Sequence, residues 1–479
     1  MASKKKLMNK KNLISKKTLN SKNIMNAKKI VLLVGFLFAG ALSASPQIQH
    51  WQTQNGAQVY FVPSNDIPMV DVRIVFDAGS ARDSAPLSAP DSTRDSARDS
   101  ARKAGLSGTA LMTNGLLAEG AAGDDAQILA EKFEAVGAAF GNGALKDMAW
   151  LNMRSLRDDK YLQPALINLK NILSFPAFNQ ASFKRELERL KITVKAGKQS
   201  PGTIASLRFF AELYGDHPYA QPSTGTEESL QQLTVKNLQA FYKKYYVGKN
   251  AVIAIVGQLS TDEAKKMAAD LVAELPAGEH AKALPDVKAL SEAKTIHIDF
   301  PSRQSTVLMG QPGLARGDAD YYALYLANHA FGGSGFGSRL MHEVREKRGL
   351  AYSTYSYFSP MRAAGPFQIG LKTRNDQLQE AMKIIHLELE KYVSKGPNED
   401  ELGDSLKNIT GGFPLRIDSN KKIAEYLSVI GFYKLPLDYL DTFVGHVNQQ
   451  NKAKVDDALK RRIHPQKMLT VIVGAKSEK

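Results

Sequence analysis

Three observations place this chain in the α+β class, built as two homologous halves. Leu162-Gln163-Pro164-Ala165-Leu166 and Leu378-Gln379-Glu380-Ala381-Met382 each open a helical stretch after a strand-like one, about 216 residues apart. The apolar runs Ile255-Val256-Gly257 and Ile472-Val473-Gly474 hold nearly the same offset, and two matches this far apart signal an internal duplication. Apolar residues make up 43% and charged residues 23% of the 479, close to globular averages, which argues against a disordered chain and a membrane bundle.

Within each half the pattern is strands followed by long helices, which predicts an antiparallel-rich sheet with helices packed on one face. Asn55-Gly56 is a hairpin-type turn signal. The β-branched and aromatic runs Val59 to Val62 and Val70 to Phe76 then read as strands. From Asp125 to Val136, Ile128, Leu129, Phe133 and Val136 recur at helical spacing, with Asp124 or Asp125 available as a cap. Met148 to Leu156 alternates as a strand, as does Phe367 to Leu371 in the second half. The boundaries predicted are a first half over 47–274, a linker over 275–291 marked by Pro276, Gly278 and Pro285, and a second half over 292–477.

Two segments stand outside this plan. Residues 1–44 hold ten lysines and no acid, so they carry two thirds of the formal net charge of +15. Their basic stretch leads into the apolar run Ile30 to Ala41 and then Ser43-Ala44-Ser45, the pattern of a cleaved signal peptide too short to anchor. Met25-Asn26-Ala27-Lys28-Lys29 would itself make an ordinary secretory start, and a mitochondrial presequence would favour arginine. With no cysteine for disulfides, thiolate metal sites or a thiol nucleophile, the expected location is the bacterial periplasm. The remaining charge surplus is too small to argue for nucleic-acid binding. The second segment, Arg82 to Arg102, contains tandem Arg-Asp-Ser-Ala copies and almost no large apolar residue; it reads as a surface loop, or as a lid over a cleft.

Chemistry is sparse. None of the nine histidines lies between residues 51 and 216. His342-Glu343-Val344-Arg345-Glu346 fails as a helical zinc motif, because the second ligand position is Glu346 and Arg345 would set a cation beside the metal. The informative stretch is Phe331 to Phe358. Its four glycines (332, 333, 335 and 337) permit a tight turn, Ser338 can cap the following helix, and Gly349 can stop it before a strand near Ala351. That arrangement could bring Arg345 near Tyr352, two donors suited to a peptide carbonyl or a developing oxyanion. Spacing alone leaves open a pairing of Arg345 with Glu346 and a packing role for Tyr352.

The strings Ser338 to Ser353 (SRLMHEVREKRGLAYS), Tyr214 to Leu230 (YGDHPYAQPSTGTEESL) and the pair NGAQVYFVP and VRIVFDAGS within 55–80 resemble the M16 family (pitrilysin, insulinase and mitochondrial processing peptidase), particularly its shorter bacterial members. The resemblance spans residues 47–477 apart from the insert, and it implies two M16-type halves closing as a clamshell around a peptide chamber. Active members carry an inverted H-x-x-E-H zinc motif in the first half. Here Gly108 and Met112 stand at the histidine positions, Leu111 at the glutamate base, and counting from Glu188-Arg189 puts the distal ligand at Lys195. None of these can hold zinc or act as base in the family's manner.

The resemblance keeps the second-half pair: an arginine and a tyrosine seven residues apart, matching Arg345 and Tyr352, bind substrate backbone in the family. It therefore implies a chain with no catalytic residue and no cofactor of its own. Such a chain would complete the chamber as the zinc-less subunit of a heterodimeric metallopeptidase, beside an H-x-x-E-H subunit that supplies zinc and the catalytic glutamate. The competing expectations are a non-enzymatic peptide-binding or scaffold protein with the same fold, and a self-sufficient protease with relocated ligands. Neither nucleic acid nor a stable membrane span is expected.

Overall fold

The computed structural model describes residues 47–83 and 106–475; the targeting segment and the insert beyond Asp83 lie outside them. The first sheet is built from β1 (Gln49–Gln52), β2 (Gln58–Pro63) and β3 (Met69–Phe76), with β4 (Gly120–Ala121) and β5 (Asp124–Asp125) forming a separate small ladder. It is completed by β6 (Ala139–Ala144), β7 (Ala149–Leu156) and β8 (Ala251–Gly257), in the order β1-β2-β8-β3-β7-β6. The second sheet contains β9 (Lys294–Asp299), β10 (Gln304–Pro312), β11 (Ser353–Phe358), β12 (Pro366–Arg374) and β13 (Leu469–Gly474), in the order β11-β12-β10-β13-β9. Apart from β1 the two orders are the same. In each, one parallel pair (β2 with β8, β9 with β13) adjoins an antiparallel run.

Local chemistry explains most element ends. Gly56 has φ +95° in the turn between β1 and β2, as the Asn-Gly signal predicts. The helix Ala126–Glu134 is capped by Asp125, whose side chain accepts from the Ile128 amide at 2.9 Å. Leu129 and Phe133 are buried from this helix, whereas Ile128 is 40% exposed. Residues 276–290 contain no helix or strand but are strapped down: the Gly248 amide donates to Pro276, His217 Nε2 lies 3.0 Å from the Pro285 carbonyl, and Leu284 and Val287 pack on a core.

Each half covers one face of its sheet with its own helices and lends a helix to the other. Val59, Phe61, Ile253 and Ile255 pack with the helices of the first half. On the opposite face Tyr60, Val62, Val252 and Ala254 pack with second-half residues that include Leu427 and Ile430 of the helix Asn420–Tyr433. That helix approaches so closely that a Cβ on Gly431 would lie 2.5 Å from both Tyr60 and Val252. Reciprocally, Phe209 and Leu213 of the helix Pro201–Tyr214 pack on Leu308, Leu469 and Val471 of the second sheet. This exchange explains why β8 and β13 are apolar at nearly every position: both are buried on two faces. No helix among the described residues is long and apolar enough to cross a membrane.

Candidate functional site

The positions matching the inverted zinc motif fall at the start of the helix Thr109–Leu116. Gly108 has φ +95°, and its amide donates to Asp83 Oδ2 at 2.8 Å while the Ala110 amide donates to Oδ1 at 2.8 Å. Asp83 thus caps the helix. Burial pushes its carboxyl up to about 8, against the lowering by these two amides and by Lys146. The Arg-Asp-Ser-Ala pattern assigns Arg82 and Asp83 to the insert, yet both are built into the fold; Arg82 grips Asp77 with bonds of 2.6 and 2.8 Å.

Leu111 and Met112 line a cleft of about 260 Å³ against the helix Gln180–Gly197, which contributes Glu186, Arg189, Leu190 and Thr193. Lys195, which counting along the sequence put opposite the motif, is exposed and absent from this wall. The residue count missed because the facing side of a helix is set by tertiary packing. The wall that does face Leu111 and Met112 has a single carboxylate, Glu186, and Arg189 and Arg185 both pair with it. Zinc wants three or four nitrogen, sulfur or carboxylate ligands. This wall offers one carboxylate, already paired, and the guanidinium of Arg189, so its donor set does not fit zinc. Among the described residues no cluster of three or more His, Cys, Asp or Glu could hold a metal ion.

In the second half, Ser338 caps as the sequence predicts: its Oγ accepts from the Met341 amide at 3.4 Å and donates to the Gly335 carbonyl at 2.7 Å. The segment Met341–Glu346 that follows is π-helical, a wider winding than the expected α-helix and one frequent at functional sites. Gly349, at φ +64°, stops it, and its amide donates to the Arg345 carbonyl at 2.8 Å. This stop returns the chain so that the Arg345 guanidinium lies 4.9 Å from the ring centre of Tyr352. It lies 4.8 Å from Phe336 as well, a contact the sequence reasoning missed although an aromatic residue among glycines was its visible signal.

Arg345 forms no ion pair among the described residues, so the pairing with Glu346 left open by spacing is not what holds it. Tyr352 is 78% exposed and Phe336 67%, so neither is core packing. Ring contacts engage the flat face of a guanidinium and leave its edge N–H donors available. Behind Arg345, Glu343 ties the segment to its own end, through Lys347 Nζ at 2.6 Å and Arg348 Nη1 at 2.8 Å. Partial burial would raise the Glu343 carboxyl, but the bonds and charges of Lys347 and Arg348 outweigh it and hold the group at about 2.

A crystal structure described as a peptidase M16 inactive domain, from Pseudomonas fluorescens, superposes with a TM-score of 0.83 at 38% identity, covering 89% of this chain and 98% of that one. The chain belongs to the M16 family. The family described as peptidase M16 inactive domain matches residues 232–409 of this M16 chain. A non-peptidase homologue from Helicobacter pylori is 26% identical over 335 residues, 67% of this chain and 74% of that protein. An uncharacterised zinc protease from Streptomyces coelicolor is 30% identical over 240 residues, 48% of this chain and 51% of that protein. An inactive-type M16 domain accords with the lost donor set in the first-half cleft.

Proposed function

We propose that this protein is the zinc-less subunit of an exported heterodimeric M16 metallopeptidase. It completes the peptide chamber and offers Arg345 and Tyr352 to the substrate backbone. A second, H-x-x-E-H-bearing subunit supplies zinc, the activated water and the glutamate base. The observation that carries this reading is a contrast within one chain. The first-half cleft has Leu111, Met112 and an Arg189–Glu186 pair where metal ligands would stand, while in the second half Tyr352 is exposed and Arg345, half-buried between Tyr352 and Phe336, has no carboxylate partner among the described residues.

Arg345 and Tyr352 can do one thing chemically without a metal. The guanidinium edge and the phenol hydroxyl are hydrogen-bond donors, so together they suit a peptide carbonyl and the negative charge that develops on it during hydrolysis. The amino-terminal basic and apolar run supports export, and the periplasm is the compartment proposed. The test is affinity capture of the tagged chain from its native cell envelope, with mass spectrometry and a zinc assay of the eluate. Co-purification of an equimolar H-x-x-E-H subunit with zinc-dependent peptide cleavage is the expected result. A lone, inactive chain that binds unstructured peptides would instead favour the scaffold reading, which the non-peptidase relative from Helicobacter pylori keeps in view.

A further inference from the structure

The second half contains a cavity of about 520 Å³ that the peptidase reading does not use. Its walls include Arg316 and Arg416, and among the described residues no carboxylate lines it. The acids nearest Arg316 in sequence are already engaged: Asp318 pairs with Arg462 at 2.7 Å and Asp320 with Arg461 at 2.7 Å. Neither Arg316 nor Arg416 has an ion-pair partner among the described residues. Arg316 is instead placed by a ring, 5.4 Å from Tyr433, and Arg416 lies 5.8 Å from the ring of Tyr325 and is hydrogen-bonded to the side chains of Tyr325 and Tyr426. Arg316 Nε also donates to the Pro360 carbonyl at 3.1 Å, which leaves its two terminal nitrogens unspent.

The remaining polar groups add donors and no negative charge. His329 sits with Nδ1 3.0 Å from Ser405 Oγ and Nε2 3.1 Å from Asn408 Oδ1. Burial lowers its pKa, against a raising by the Asn408 hydrogen bond and with a further lowering by the nearby Arg416 charge, so the shift favours the neutral ring. A neutral ring that donates from Nε2 to Asn408 Oδ1 leaves the Asn408 amide nitrogen available as a donor. Two preorganised guanidinium groups without a counter-charge, in a cavity walled by Tyr325 and Tyr357, match a carboxylate on an organic body better than a bare ion.

We infer that this cavity binds a carboxylate of a peptide, either a C-terminal one or an Asp or Glu side chain. The inference rests on the reading of Arg345 and Tyr352 as a peptide-backbone site, and it adds a second anchor to it. Tyr357 lies on β11, the free edge strand that begins immediately after Tyr352. At a strand rise of about 3.3 Å per residue, Tyr352 and Tyr357 are roughly 17 Å apart.

The test is fluorescence anisotropy with the purified chain and unstructured ten-residue peptides. One series compares glutamate with glutamine at each position of a C-terminally amidated peptide; the other compares free and amidated C-termini. The expected result is at least tenfold tighter binding of the acidic member of a pair, with Arg316→Gln and Arg416→Gln each bringing the ratio below about twofold. The series that shows the preference identifies the source of the carboxylate. Arg345→Ala should weaken both members of a pair equally. Equal binding of acid and amide by the unmodified chain, or a preference that survives both arginine substitutions, overturns the cavity assignment and leaves the backbone site standing. Failure of every peptide to bind the chain overturns the cavity assignment, and the backbone site is then judged separately, by the kinetics of the assembled pair. Arg416 is exposed, so Arg416→Gln remains informative if Arg316→Gln does not fold.

Discussion

The Arg345 guanidinium lies over the ring of Tyr352, 4.9 Å from the ring centre, and the two residues are brought together by a π-helical segment that Gly349 terminates. Phe336 makes the same kind of contact at 4.8 Å. Such contacts at exposed sites are worth about 0.5–1 kcal/mol each. Phe336→Ala should therefore reduce kcat/KM of the assembled peptidase two- to fivefold by loosening Arg345. The thermal midpoint should hardly move, since Phe336 is exposed and outside the core. Steady-state kinetics beside a melting curve checks this, and a large fall in stability with unchanged kinetics would assign Phe336 to packing.

Restoring the zinc motif by sequence alone should fail. Gly108→His places a β-carbon at φ +95°, where it would meet Leu230 Cδ2 at 3.2 Å and the Thr224 carbonyl at 3.3 Å. That strain costs about 1–3 kcal/mol. The combined Gly108→His, Leu111→Glu, Met112→His chain would still face Arg189. Zinc titration should show no stoichiometric binding, and denaturant unfolding should show lower stability; one tightly bound zinc per chain would refute this account of the cleft.

The two halves are joined by a buried carboxylate. Asp147 accepts from Tyr219 at 2.6 Å, from Tyr433 at 2.9 Å and from the Arg362 amide at 2.7 Å, so one first-half side chain collects donors from both halves. Removing it leaves these donors unpaired where Asp147 is 4% exposed. Asp147→Ala should cost about 3 kcal/mol or more, and Tyr433→Phe about 1–2 kcal/mol. Urea unfolding of the two single variants and the double variant measures both, and the double should be less destabilised than the sum.

Glu343 gives the pair's support a pH dependence. Its carboxyl titrates at about 2 in the fold against an ordinary 4.5, so the ion pairs with Lys347 and Arg348 contribute stability above pH 4.5 and lose it as pH falls toward 2. With Lys347 half exposed, the contribution is about 1 kcal/mol. Glu343→Gln should be destabilised by that amount at pH 7 and should converge with the unmodified chain near pH 2. A difference constant from pH 7 to pH 2 would rule the ion pairs out.

Much of this was legible in the residues, and the exceptions share a cause. Asn55-Gly56, Asp125, Ser338 and Gly349 act locally, through backbone conformation or a capping oxygen, and each does what its residue type requires. The uniformly apolar β8 and β13 already implied burial on two faces, but nothing in an amphipathic helix says whose sheet it will cover. The exchange of helices 201–214 and 420–433 therefore emerges only from the packing. The wall opposite Met112 was misplaced at Lys195 for the same reason, and Asp83 was hidden in a repeat whose composition matches solvent-exposed loops. Arg345 and Tyr352 were found because their meeting depends on a short, glycine-delimited turn.

The most direct test of the central claim uses the assembled pair of subunits. The zinc content and kcat/KM for an unstructured peptide would be measured with the unmodified chain, with Arg345→Ala and with Tyr352→Phe. The account predicts unchanged assembly and zinc content, a fall of about 100-fold for Arg345→Ala and about tenfold for Tyr352→Phe, as for lost oxyanion donors. Full activity in both variants, or zinc held by this chain alone, would contradict it.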